Sequence, residues 1–150
     1  MKRKQVLPLL LALGFAGVVP LHAATSCHMI AAKGIGQDDG TGKTTAKVIG
    51  GGLLQGTLEG ALTPTSPPAD GLVTFTEVVK FTTENGTLTV EVAGAINILN
   101  GRFSATGPVK EAAGKLAGAT GNIAFSGLVD FTTGLFTESI RGVICVDLAP

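Results

Sequence analysis

Beyond residue 40, apolar and polar residues alternate along the chain, and glycine-bearing turns interrupt the alternation every few residues. A period of two is the signature of β-strands, whose successive side chains point to opposite faces. No window carries a sustained helical stripe. The nearest, Glu111 to Ala117, reads as one helical turn or a loop. Strands are expected at 27–35, 44–49, 53–63, 72–83, 87–99, 102–110, 122–132 and 135–147. The polar, glycine-rich 37–42 reads as a loop, and so does 64–68, because proline cannot sit in a central strand.

Asn85-Gly86 and Asn100-Gly101 join consecutive strands, and Asn-Gly is the strongest short hairpin signal because both residues tolerate positive φ. Thr133-Gly134 joins the last pair. Consecutive hairpins make a meander, and about eight strands suffice to close a small barrel, which also removes exposed sheet edges. The expected fold class is therefore all-β, an antiparallel meander of about eight strands closed into a barrel. A faint echo runs through it: Phe75, Val79, Phe81, Thr82 and Thr83 recur as Phe125, Val129, Phe131, Thr132 and Thr133. Two hairpin strands under one packing rule explain that without duplication.

The beginning of the chain follows different rules. Lys2-Arg3-Lys4 precedes an apolar run from Val6 to Val19, and small residues lead to Ala23-Ala24. A charged start, a short apolar run and a small-residue exit are the parts of a secretory signal. The run is shorter than the ~20 apolar residues of a membrane span. Residues 1–24 are thus expected to be a cleaved signal and 25–150 one exported domain, secreted or periplasmic. Without Lys2, Arg3 and Lys4, eight basic side chains face eleven acidic ones, a net charge of −3 that argues against a nucleic-acid partner.

Cys27 and Cys145 are the only cysteines. In an oxidising compartment the default reading is one disulfide, tying the first strand to the last. The alternatives are a reactive thiol, beside which only His28 lies, and a lipid-modified Cys27. Lipidation would require cleavage just before Cys27, where Ala24-Thr25-Ser26 lack the usual upstream Leu.

Several familiar chemistries are excluded. Gly42-Lys43-Thr44 resembles the end of a phosphate loop, but the required Gly at 37 is Gln37, and no helix is expected to follow. Asn85-Gly86-Thr87 is a glycosylation sequon better read as a turn. Beyond the signal there is one histidine, His28, so a metal site of several imidazoles is excluded. No Gly-x-Ser-x-Gly elbow is present. Trp and Tyr are absent, which removes the usual stacking platforms apart from Phe. Neither a metal nor another cofactor is expected.

Two carboxylates stand out. One face of the fourth strand carries Val73, Phe75, Glu77, Val79 and Phe81. One face of the last carries Phe136, Glu138, Ile140, Ile144 and Val146. A buried carboxylate must be paired, protonated or facing a wet cavity. In an apolar cup its raised pKa suits a general acid or base. Otherwise these residues sit at a barrel rim, or a bulge turns them outward. Glu77 and Glu138 are the candidate catalytic residues, and Phe75, Val79, Phe81, Phe136 and Ile140 the candidate cavity wall. Arg141 falls on the face opposite Glu138, and Glu91 and Asp130 fall on polar faces.

The stretch GRFSATGPVKEAAGKLAGATGNIAFSG, residues 101–127, resembles the allene oxide cyclase-like and dirigent-like barrels. There a Gly-Arg-Phe strand leads into a Gly-x-Phe/Leu-x-x-Ala-x-Gly turn, here GKLAGATG at 114–121. GLLQGTLEGAL at 52–62 and GLFTESIRGVIC at 134–145 are compatible in place and pattern, so the resemblance spans most of 44–147. It implies a lipocalin-like cup for a small apolar molecule, and a homo-oligomer. In some members it implies cyclisation or steering of a reactive intermediate. Dirigent proteins usually carry Arg inside the turn, where this chain has Ala119-Thr120-Gly121. The functions expected are binding of an apolar small molecule, cofactor-independent cyclisation or isomerisation with Glu77 or Glu138 as acid–base group, or a filled structural module without ligand.

Overall fold

A computed structural model describes residues 25–148. The signal-type segment 1–24 lies outside the described residues. Eight strands follow one another: β1 (Ser26–Asp38), β2 (Lys43–Gly50), β3 (Gly56–Pro64), β4 (Leu72–Thr83), β5 (Gly86–Asn97), β6 (Arg102–Gly114), β7 (Thr120–Val129) and β8 (Leu135–Val146). Every strand pairs antiparallel with its neighbour in sequence, and β8 pairs with β1 to close the barrel. The chain is an all-β, eight-stranded antiparallel meander, and no described helix is long and apolar enough to cross a membrane.

The alternation read from the sequence is the burial pattern of the strands. On β8, Phe136, Glu138, Ile140, Ile144 and Val146 are buried, while Leu135, Thr137, Arg141 and Val143 are exposed. On β4, Phe75, Val79 and Phe81 are buried. The inward rows meet in one apolar core in which Phe81 stacks on Phe125 with ring centroids 6.1 Å apart. Cys27 faces Cys145 across the β1–β8 ladder, and the two form a disulfide on the seam that closes the sheet.

The differences from the expected elements have local causes. The third strand was expected from Leu53. Gly50, Gly51 and Gly52 instead take φ of 75°, 76° and 55°, turning the chain through a short 3₁₀ segment at Gly52–Leu54 before β3 begins. Left-handed backbone of this kind is nearly free only for glycine. Residues 111–114 are neither helical turn nor loop but the continuation of β6. Thr89 pairs with Glu111 and Val90 with Val109, so Lys110 is an extra residue, a β-bulge. The bulge moves the inward set from Val109 to Ala112 and breaks the period of two on which strand reading depends. Gln37 and Asp38 extend β1, so the first turn is confined to 39–42.

The Asn-Gly dipeptides lie at the expected connections, but neither forms a turn with positive φ at Asn. Thr83 pairs with Gly86 around Glu84-Asn85, and 98–101 make a four-residue turn. The final strand pair also turns earlier than expected, because β7 ends at Val129. Phe131 therefore sits in that turn, 55% exposed, whereas its counterpart in the internal echo, Phe81, is fully buried. The likeness between the two stretches ends where the strand ends.

The two ends of the barrel differ. The β2–β3, β4–β5 and β6–β7 connections lie at the end that carries the disulfide. There Leu54 and Leu116, from two of those connections, are fully buried in the core and close it. The other end, bounded by 39–42, 65–71, 98–101 and 130–134, is the mouth toward which the carboxylates lie.

Candidate functional site

Glu77 occupies an inward position of β4 between Phe75 and Val79, and Glu138 an inward position of β8 between Phe136 and Ile140. Strand geometry alone puts them on the inner face. Their room comes from glycine on neighbouring strands. Glu138 is paired with Gly34 of β1 on one side and Gly127 of β7 on the other. A Cβ at Gly34 would lie 2.7 Å from Glu138 Cγ and overlap its carboxylate. A Cβ at Gly60 of β3 would overlap both the Glu77 carboxylate and the Thr44 hydroxyl. Glycine within a strand often marks such a close approach.

The two carboxyl groups are held differently. Thr44 Oγ1 of β2 donates a hydrogen bond of 2.9 Å to Glu77 Oε1. Glu138 is only 9% exposed, and its Oε1 has no hydrogen-bond partner. Burial pushes the Glu77 pKa up, the Thr44 bond pulls it down, and the charge of Asp38 adds a further upward push. Burial pushes Glu138 up to about 8, helped by the negative charge of Glu77. In a medium of low polarity the charged form of each acid is disfavoured, and the second negative charge more than the first. At neutral pH Glu138 therefore keeps its proton.

Both groups line one partly open cavity with a volume of about 50 Å³. That is room for a few water-sized groups, far below the roughly 300–1,000 Å³ of pockets that engulf a whole small molecule. Phe75, Val79 and Phe136 form part of its wall, as do Phe103, Phe125 and Ile96, which were not singled out in the sequence. Phe103 packs edge-on to Phe136 with centroids 6.4 Å apart. Phe81 and Ile140 are fully buried and lie outside the cavity wall. Thr44 and Asp38 complete the polar lining. Thr44 continues the inward row of Ala46 and Val48, and Asp38 that of Ile30, Ala32 and Gly34, so alternation was the signal that could have found them.

Other candidates lie elsewhere. Gly42-Lys43-Thr44 is the end of the β1–β2 turn and the start of β2, with no helix after it. His28 is at the disulfide end, where its Nε2 is 2.8 Å from the Ser26 hydroxyl. Arg141 is on the outer face near Ser139. Glu91 is exposed and 3.8 Å from Lys110. Among the described residues, no group of three or more His, Cys, Asp or Glu is arranged to hold a metal ion. No family model matches the chain, and neither a curated protein nor a solved structure matches it significantly.

Proposed function

We propose that this protein binds a small molecule end-on at the barrel mouth, with one polar group in the cavity and an apolar body against the rim. The observation that carries the reading is the Glu138 carboxyl, buried and with one oxygen unpartnered, in the wall of a cavity lined mostly by apolar side chains. A buried polar atom without a partner costs about 1–3 kcal/mol, and a ligand that bonds to the carboxyl recovers that cost. The small volume favours a ligand that is gripped at one end over one that is swallowed whole. The chain is proposed to act after export, secreted or periplasmic, and the Cys27–Cys145 disulfide is compatible with an oxidising location.

A second reading follows from the unlike surroundings of the two carboxyls. Glu138 keeps its proton at neutral pH, while Glu77 accepts a hydrogen bond that favours its charged form, and such a pair suits acid–base work. This supports cofactor-independent cyclisation or isomerisation, the activity implied by the resemblance to allene oxide cyclase-like barrels. Native mass spectrometry of protein recovered from its own host tests both readings. A retained molecule that is lost from Glu138→Gln supports binding at this site. Conversion of that molecule by the wild type, but not by Glu77→Gln, supports the acid–base reading. Ligand-free protein that takes up no small molecule would leave only a structural module.

A further inference from the structure

The walls of the cavity are one-sided in charge. Its ionisable groups are three carboxyls, Asp38 of β1, Glu77 of β4 and Glu138 of β8, and it has no Lys, Arg or His. The cations of the strands that carry Asp38, Thr44, Glu77 and Glu138, namely Lys33, Lys43, Lys47, Lys80 and Arg141, are all exposed and alternate with the inward positions. Thr44 satisfies one oxygen of Glu77, but Oε1 of Glu138, packed over Gly34 at the cavity wall, has nothing bonded to it. The remaining wall is rich in aromatic faces, Phe75, Phe103, Phe125 and Phe136.

Resting on the ligand-binding reading above, we propose that the group held in this cavity is a primary ammonium on an apolar chain. An ammonium has three N–H donors and no acceptor, which matches a wall of carboxyl and hydroxyl oxygens. Phe faces add attraction for a desolvated cation. The cavity of about 50 Å³ suits an ammonium and its first carbons, leaving the rest of the chain to lie against Leu62, Ile96 and Phe103. A carboxylate ligand meets three acid side chains and no cation to pair with it. An alcohol can bond to Glu138 but neutralises nothing. A bare divalent cation is disfavoured because the acids do not converge in a metal-holding group and such ions need six or more oxygens.

Proton uptake and release are coupled to binding. The titratable groups facing Glu138 within the cavity are Glu77 and Asp38; of the others on the flanking strands β1 and β7, Lys33 is exposed and His28 lies at the opposite, disulfide end. A cation stabilises ionised Glu138, so binding expels its proton while Glu138 is still protonated. Affinity therefore rises as the pH climbs toward about 8 and levels off above it, until the ammonium itself deprotonates.

The test is calorimetric titration of the disulfide-bonded protein, residues 25–150, with hexylammonium, hexan-1-ol and hexanoate. Each is run at neutral pH in two buffers of different ionisation enthalpy. Hexylammonium is expected to bind at least about tenfold tighter than hexan-1-ol, with proton release, and hexanoate not at all. In Glu138→Gln the preference for the ammonium shrinks and the proton release disappears. Equal binding of alcohol and ammonium, or an unchanged preference in folded Glu138→Gln, overturns the ammonium assignment and leaves the mouth as a ligand site. Failure of all three probes to bind overturns both. If Glu138→Gln does not fold, the wild-type comparison of ammonium with alcohol decides alone.

Discussion

Glu138 lies directly across the closing ladder from Gly34, and the space that a side chain at Gly34 would fill is occupied by the Glu138 carboxyl group. Position 34 has ordinary strand backbone, so this glycine is required for room and not for its conformation. Gly34→Ala is expected to displace the carboxyl and destabilise the protein by about 1–3 kcal/mol, the usual cost of overpacking. In a Glu138→Ala background the same substitution costs much less. Urea denaturation of the four proteins gives the coupling directly.

The buried acids make stability depend on pH with a definite sign. The Glu138 pKa rises from an ordinary 4.5 to about 8 in the fold. Between those values the folded state holds a proton that the unfolded state has lost, so stability falls as pH rises. The Glu77 shift acts in the same direction. Thermal or urea midpoints are expected to decline between about pH 5 and about pH 8, by a total on the order of a few kcal/mol. Glu138→Gln, which cannot ionise, is expected to flatten most of that decline. A wild-type curve that is level or rising through this range removes the unpaired buried acid.

Thr44 donates to Glu77 and pulls down the pKa that burial raises. Thr44→Val keeps the shape but removes the donor. The Glu77 titration, followed by carboxyl carbon NMR, is expected to move further up. Stability is expected to fall by about 1 kcal/mol at neutral pH, the worth of one such bond. An unmoved titration would show that the hydroxyl does not act on Glu77.

The disulfide spans a sequence separation of 118 residues. Loop-closure entropy assigns about 4–5 kcal/mol to a cross-link of that length. Urea midpoints with and without reductant measure it, and Cys27→Ser/Cys145→Ser is expected to match the reduced protein. Alkylation of the native protein without reductant is expected to label neither cysteine.

Much of the architecture is legible locally. Alternation in 72–83 and 135–147 marks two strands and puts Glu77 and Glu138 on their apolar faces, since the side-chain period is two whatever partner a strand finds. Where that local rule is broken, reading fails. The extra residue at Lys110 hid the end of β6, and three left-handed glycines displaced the start of β3. Phe131 matches the pattern of Phe81 yet lies in a turn, because the pattern does not reveal where a strand stops.

The amino-acid order by itself determined the approximate number of strands, the inward rows of β4 and β8 and the two cysteines at the ends of the barrel domain, all consequences of short-range periodicity and turn chemistry. Tertiary structure alone decided that Gly34 and Gly60 would vacate space for two carboxyl groups, that Thr44 would bond to one and that the other would have an unpartnered oxygen. It also decided that Leu54 and Leu116 would close one end while the acids lie toward the other. Those relationships depend on ladder register and barrel closure, which bring together residues far apart in the chain, and no local pattern of side chains encodes which of them will meet.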